Sequence, residues 1–374
     1  MKTKNAGKID LNHMIYVVWI GVCMLCFTVL IVYQPPRTIV VEDHSGNQSS
    51  QQPDADTTQE TVLLTFSVDS EVTGLHIPLQ NSSWIKQVTI ENRYMTNELW
   101  ITLEQTDDTG ANLSFYEENP LSGEAAGALT GQVERIQGGI QLKIRFPMIY
   151  EYKTTLVGNV LQVETALPSE IYDQIIVVDP AFGGEEAGKK AFGTTEASIA
   201  LEIAKLLKGK LDQTKIKVYY TRLDDTFVDV KDRAALADRV GADFLISIAT
   251  SFDPVEALRY GITSVYNGKY FIPEFGNVDL ADLIEREVVT AVTGKAEGLY
   301  DVYREMESVE NTDLPDHVLF YTKIPAMQLR VGYLSNWDEN ILLQKSKYQE
   351  KIADGIISAI LKAYEFIETL PSIE

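Results

Sequence analysis

The sequence predicts an α/β protein, a mostly parallel sheet flanked by helices, preceded by a small all-β region and one transmembrane helix. Three observations carry this expectation. Residues 14–33 read MIYVVWIGVCMLCFTVLIVY without a charge, residues 61–168 give short stretches of alternating polarity, and beyond Ile171 strand-like and helix-like segments alternate. The 374 residues exceed one average domain, and 45% hydrophobic with 23% charged residues is ordinary globular composition, which excludes a disordered or fibrous chain. With 54 acidic against 32 basic residues the net charge is −22, which repels polyphosphate backbones and argues against a nucleic-acid partner. The expected organisation is a cytoplasmic tip and membrane anchor over 1–33, a flexible linker over 34–60, a β-sandwich-like domain over 61–168 and an α/β domain over 169–374.

At 1.5 Å per residue, a helix from Met14 to Tyr33 matches a hydrocarbon core of roughly 30 Å. Lys2, Lys4 and Lys8 precede it, while only Arg37 follows before Glu42 and Asp43, so the N-terminus is expected in the cytoplasm and the bulk of the chain outside. Tyr33, Gln34, Pro35 and Pro36 offer no small-residue cleavage site, which favours a retained anchor over a cleaved signal peptide. Both cysteines, Cys23 and Cys26, lie in this run, leaving no thiol further on for a disulfide, a redox centre or a metal. The stretch EDHSGNQSSQQPDADTTQE has no apolar period and reads as a tether, with His44 a solvated linker residue.

In the β region, TVLLTFSV, WIKQVTI and ELWITLE read as half-buried strands, and Ile140, Leu142, Ile144 and Phe146 alternate most cleanly with polar residues. Asp107–Gly110 and Gly138-Gly139 mark turns, and the absence of any ten-residue helical period suggests a small β-sandwich. Trp84 and Trp100 are expected in its core rather than as a sugar-stacking platform, and His76 is expected to be structural. Then come IIVVD, ASIALEIAKLL, KVYYT, VKDRAALADRV and FLISI, with closing helices around Asn340–Gln344 and Gln349–Phe366. Ligands of open α/β sheets sit at the carboxyl ends of strands, which directs attention to the residues after IIVV, FLISI and AMQLRV.

Five blocks there, IIVVDPAFGG at 175–184, Glu196 with SIALEIAKLL, TRLDDTFVDVKDRAALAD at 221–238, ADFLISIATS at 242–251 and PAMQLRVGYLSN at 325–336, resemble the type 3 zinc-dependent N-acetylmuramoyl-L-alanine amidases of bacterial cell walls. The β region resembles, less closely, the N-terminal domains that help such amidases localise in the envelope. The resemblance implies a bacterium with an accessible wall, which puts the anchor expected at 14–33 in a bacterial cell membrane, and cleavage of the bond between muramic acid and L-alanine by zinc-bound water. It also implies two histidine ligands, one glutamate ligand and a glutamate general base. Carried over by position, the first histidine corresponds to Phe182, the glutamate ligand to Glu196, the second histidine to Ala249 and the general base to Arg330. Only Glu196 keeps its chemistry, since phenylalanine and alanine have no lone pair for a metal and a guanidinium cannot accept a proton.

No cofactor is therefore expected, zinc entering only if another donor set rebuilds the site. The donors flanking the site loops are Glu185, Glu186 and Asp253, while His317 lies distant in the pattern from the two lost positions and is read as a surface or strand-end residue. Without a dication Glu196 needs a partner, so an ion pair with Arg330 is expected, with Phe182 filling an imidazole's volume and Ala249 making room for the arginine stem. The competing reading leaves Arg330 in solvent and Glu196 as an acid favoured by its helix N-terminus. Asp179, Gly183 and Gly184 are read as shaping a tight turn, and Arg222 and Arg233 as either tying loops or touching substrate. Asp238 stands where the family often has asparagine, and LSN at 334–336 reads as a turn before the terminal helices. Arg259, Tyr260 and Tyr266, with Tyr270 and Phe271, border a possible groove of aromatic faces for sugars. The leading functional expectation is a membrane-anchored, non-catalytic protein that binds peptidoglycan or another envelope protein. An active amidase with an unconventional site and a structural scaffold of a membrane complex stand as alternatives.

Overall fold

The computed structural model describes residues 37–38, 60–105, 112–256, 258–269, 272–294, 304–309 and 317–370. The expected transmembrane span at 14–33, nearly all of the expected linker including His44, the turn at 107–110, and Tyr270 and Phe271 lie outside the described residues. Among the described residues no helix is long and apolar enough to cross a membrane.

The strands up to Ala166 are β1 (Arg37–Thr38), β2 (Thr61–Leu63), β3 (Phe66–Val68), β4 (Leu75–Pro78), β5 (Ile85–Arg93), β6 (Glu98–Gln105), β7 (Leu121–Gly123), β8 (Thr130–Ile136), β9 (Gly139–Arg145), β10 (Glu151–Val157) and β11 (Val160–Ala166). They form two sheets, ordered β1-β10-β11-β4-β7-β3 and β2-β8-β9-β6-β5. The alternation read at Ile140, Leu142, Ile144 and Phe146 is the inner face of β9 and the residue after it. There these side chains meet Leu75, Ile77, Leu161 and Val163 of the other sheet in one apolar core. The two short helices here, α1 (Phe115–Glu118) and α2 (Pro168–Ile171), are four residues each, which agrees with the missing helical period. Neither tryptophan belongs to the core. Trp84 is 38% exposed. Trp100 lies on the outer face of β6, with the Arg93 guanidinium 3.6 Å and the Lys143 ammonium 4.3 Å from its ring centre. Alternation identifies two faces but not which one is inside, and at Trp100 cation–π contacts replace burial.

The second part is a six-stranded sheet ordered β15-β12-β16-β19-β17-β18, from β12 (Ile175–Pro180), β15 (Lys217–Tyr220), β16 (Phe244–Ser251), β17 (Ile262–Asn267), β18 (Arg304–Val309) and β19 (Ala326–Tyr333). All neighbours are parallel except β17 and β19, which run antiparallel. A two-stranded hairpin, β13 (Lys190–Ala191) and β14 (Thr194–Thr195), interrupts the path to α3 (Glu196–Leu211). Then follow α4 (Val230–Val240), α5 (Asn277–Thr293), α6 (Trp337–Leu343) and α7 (Ser346–Ile367). The apolar faces of α3, α5 and α7 cover one side of the sheet with Ile176, Val178, Ile246, Ile248, Met327 and Leu329. On the other side Ile175, Val177, Leu245 and Val265 pack against α4, the turn at Val318–Leu319, and Tyr94 and Ile149 of the β-rich part. This last contact joins the two parts. The Tyr94 hydroxyl donates to the Tyr220 carbonyl (2.7 Å) and accepts from the Tyr220 amide (3.0 Å), and Glu151 pairs with Lys217 at 3.0 Å.

Candidate functional site

The site lies at the carboxyl edge of the parallel strands. β12 ends at Pro180 and its chain turns sharply through Phe182 (φ 62°), Gly183 (φ 134°) and Gly184 (φ 56°). Left-handed backbone angles suit glycine, and a Cβ on Gly183 would fall 2.3 Å from the Thr226 carbonyl oxygen, so both crowding and conformation require glycine there. Phe182 adopts the same region against its preference.

Two buried arginines hold this turn. Arg222 donates to the carbonyls of Pro180 (2.9 Å), Ala181 (3.0 Å), Ala197 (2.9 Å) and Asp224 (2.8 Å). Arg233 donates to the carbonyls of Val228 (2.7 Å), Pro180 (3.1 Å) and Phe182 (2.9 Å) and to the Asp179 carboxylate (3.2 Å). Asp179 also accepts from the hydroxyls of Thr221 (2.6 Å) and Ser247 (2.8 Å). Of the two roles read from the sequence, Arg222 and Arg233 perform the structural one. Asp238, at the end of α4, pairs with Lys323 at 3.5 Å.

Glu196 opens α3, whose N-cap Thr195 accepts from the Ser198 amide, and it is 5% exposed. Its two carboxylate oxygens accept from the Lys189 amide (2.6 Å) and the Thr250 hydroxyl (3.0 Å). Burial raises its carboxyl above the usual carboxylate range, opposed by those two hydrogen bonds and by the charge of Arg330. Phe182 and Glu196 converge on Gly188: a Cβ there would meet the Glu196 Oε2 at 2.7 Å and the Phe182 ring at 2.9 Å. The phenylalanine thus lies beside the retained carboxylate. On β16, Ala249 is in register with Arg330 of β19.

The expected ion pair between Glu196 and Arg330 is not formed. The Arg330 Nη1 pairs with Glu307 at 2.8 Å and its Nε donates to the Gln328 Oε1 at 3.3 Å. Register gives the reason. Arg330 shares a face of the sheet with Gln328 and lies two strands from β18, which presents Glu307, whereas Glu196 opens α3, which packs on the opposite face with Met327 and Leu329. Glu307 has 53% of its side chain exposed and reaches the guanidinium from the sheet edge.

His317 is a correction too. Instead of standing at the surface or on a strand, it is buried and caps a 3₁₀ turn at Val318–Phe320, its Nδ1 accepting from the Leu319 amide (3.3 Å). Its Nε2 therefore donates to the Gln328 Oε1 (3.1 Å). Burial pushes its pKa down to about 4, with the Gln328 bond opposing and the Arg330 charge adding to the shift. Gln328 continues to Ser247 at 3.5 Å and thence to Asp179, so a row of polar side chains crosses β19, β16 and β12 beneath the site. The signal was present in the sequence: Gln328 and Ser247 interrupt apolar runs, and Gln328 precedes Arg330 by two residues, hence on the same face.

The remaining rebuilding candidates do not converge on Glu196. Glu185 and Glu186 are exposed in the turn closed by Gly183 and Glu186. Asp253 accepts from the amides of Val255 and Glu256 and pairs with Arg259 at 3.6 Å. Of the groove residues, Arg259 lies over the Tyr333 ring at 5.5 Å and Tyr260 is 47% exposed, but Tyr266 packs toward the main core and does not join them. Asn336 of the LSN turn caps α6, accepting from the amides of Asp338 and Glu339. A hydrolytic zinc centre takes three protein ligands, and these positions offer one carboxylate, a phenyl ring, a methyl group and a guanidinium. That donor set does not fit the ion.

Residues 176–362, half of the chain, match the family described as N-acetylmuramoyl-L-alanine amidase. Among curated relatives, the chain is 28% identical over 195 residues to N-acetylmuramoyl-L-alanine amidase CwlM of Mycobacterium tuberculosis, covering 50% of this chain and 45% of that protein. It is 31% identical over 195 residues to the putative N-acetylmuramoyl-L-alanine amidase YrvJ of Bacillus subtilis, covering 52% and 34%. The chain thus spans less than half the length of these two relatives. A solved N-acetylmuramoyl-L-alanine amidase from Clostridium difficile 630 is 28% identical, with a TM-score of 0.45 over 51% of this chain and 97% of that one. Through residues 176–362, the chain belongs to the N-acetylmuramoyl-L-alanine amidase family.

Proposed function

We propose that this chain is a non-hydrolysing, membrane-tethered member of its family that binds peptidoglycan at the bacterial cell surface. The observation that carries the reading is the residue set at the implied metal site: Phe182, Ala249 and Arg330 stand where two ligands and the general base belong. The one retained ligand, Glu196, has both oxygens engaged by Lys189 and Thr250. Such a site has no group to activate water and none to take its proton. The uncharged run at 14–33, with Lys2, Lys4 and Lys8 before it and only Arg37 between it and Glu42, supports a single span with the bulk outside.

The test is co-sedimentation of the full chain with purified sacculi, followed by assay of the supernatant for released stem peptides. Binding without release is the expected result. Release of stem peptides beginning with L-alanine would make the chain an active amidase, and neither binding nor release would make it a scaffold.

A further inference from the structure

Glu339 of α6 is a partly buried carboxylate that the amidase-like site does not use. Its Oε1 accepts from the Gly261 amide (2.9 Å) and its Oε2 from the Tyr333 amide (2.6 Å). One side chain thereby ties the residue before β17 to the last residue of β19. The loop that runs from β16 to β17 begins beside the site, since Thr250, which holds Glu196, lies near the end of β16. Its first residues are tied by groups that do not titrate: the Leu334 amide donates to the Ser251 carbonyl (2.7 Å), and the Asp253 amide to the Ser335 hydroxyl (2.9 Å). Its last residues are tied by the Asn336 Nδ2, which donates to the Arg259 carbonyl (3.2 Å), and by Glu339. Between these ends Val255 and Leu258 are 90% and 88% exposed. A loop with so little apolar burial is held mainly by its hydrogen bonds, and Gly261, at a φ of 113°, is a residue about which it can turn.

Burial pushes the Glu339 carboxyl up to about 7, opposed by the Tyr333 and Gly261 hydrogen bonds. Among the described residues no cation enters that balance. From α7 the Tyr348 hydroxyl faces it, pushed up to about 12 by burial and then by the Glu339 charge, and so is neutral at pH 8. Arg259, the loop's own cation, pairs with Asp253 at 3.6 Å and lies over the Tyr333 ring, and Asp338 beside Glu339 on α6 is exposed. A neutral carboxyl keeps lone pairs on its oxygens, so protonation leaves both amides an acceptor. Held in place, the acid keeps its proton up to about pH 7, whereas released into water it would lose it at its ordinary 4.5. Below 4.5 both forms are neutral and the tie is at full strength; as pH rises through 7 the buried acid ionises, and the released form, whose charge is hydrated, is favoured.

We infer that Glu339 is a pH-sensitive latch on the loop from β16 to β17, holding it against β19 when protonated and releasing it when ionised. The loop carries Arg259 and Tyr260 and continues from the strand that supplies Ala249 and Thr250, so its release changes the edge of the amidase-like site. The consequence for ligands at that edge rests on the binding function proposed above, while the latch itself does not.

The test is hydrogen–deuterium exchange of the full chain in detergent micelles at pH 5 and pH 8, corrected for the intrinsic base catalysis of exchange. Protection of the Gly261 and Tyr333 amides is expected to fall on the order of 10- to 100-fold from pH 5 to pH 8, with β12 unchanged. Glu339→Gln, which cannot ionise, should remove the dependence, and circular dichroism confirms that the variant is folded. A carbon-13 titration of the Glu339 carboxyl in the unmodified chain should show a midpoint near 7 and needs no variant. Equal corrected protection at the two pH values, the same dependence in folded Glu339→Gln, or a midpoint near 4.5 would overturn the latch. No ligand is present in these measurements, so failure of the latch and failure of peptidoglycan binding are read separately.

Discussion

Asp179 and Glu196 are both buried carboxylates at the same edge of the same sheet, yet their surroundings follow different rules. Asp179 has a guanidinium and two hydroxyls, and the arginine it pairs with is itself satisfied by three backbone carbonyls. Glu196 has one amide and one hydroxyl, and the nearby guanidinium of Arg330 goes to Glu307 instead. The first arrangement is a closed scaffold that holds the turn wherever the chemistry leads. The second, in the reading proposed above, is a ligand position whose implied partners are a phenylalanine, an alanine and an arginine. Burial accordingly raises the Glu196 carboxyl. The comparison shows that a fold can keep the framework of a site while its chemistry is replaced, because different residues carry the two tasks.

The largest effect should come from breaking the scaffold. Asp179→Ala leaves the buried Arg233 without its counter-charge and the Thr221 hydroxyl without its acceptor, and is expected to destabilise the chain by about 3–5 kcal/mol, measured by urea unfolding.

Next in size is the histidine beneath the site. The folded pKa of His317, about 4, lies below its ordinary 6.5, so the native state favours the neutral ring. Its contribution is complete above about pH 6.5 and is lost as pH falls toward 4, on the order of 3 kcal/mol in all. Unfolding curves at pH 7 and pH 4 check this, with His317→Gln flattening that part of the dependence.

A smaller loss is expected from Gly188→Ala. The added Cβ would stand 2.7 Å from the Glu196 carboxylate and 2.9 Å from the Phe182 ring, at a φ of 68°. About 1–3 kcal/mol should be lost, read by the same unfolding assay. Smallest is Arg330→Ala. Its partner Glu307 is half exposed, so stability should change by less than about 1 kcal/mol, even though the resemblance implies the general-base position for this residue. A loss as large as that from Asp179→Ala would place Arg330 in the scaffold and erase the distinction between the two regions.

Much of this was legible in the sequence. Segment 230–240 is a helix over the bounds its period suggests, and the alternation from Ile140 to Phe146 marks an inner face. Gly183 and Gly184 occupy the turn read from them. The residue types at 182, 249 and 330 already raised the question of lost metal chemistry. Partner choice was not legible. Arg330 goes to Glu307 because β18 lies beside β17 and presents a carboxylate on the same side, and strand order across a sheet is a long-range property that local patterns do not encode. His317 was misplaced for a related reason: an isolated histidine in an apolar run reads as a strand end until Gln328 and Leu319 are found to bond both of its nitrogens. The tryptophans show the limit of alternation, which cannot tell which face is inward when cations cover the other.

The most direct measurement is the zinc content of the purified full chain after dialysis against zinc and then against buffer, by elemental analysis. With Phe182, Ala249 and Arg330 at the implied ligand and base positions, no retained zinc is expected. One zinc per chain, held through the second dialysis, would contradict the account and require a donor set built from residues other than these.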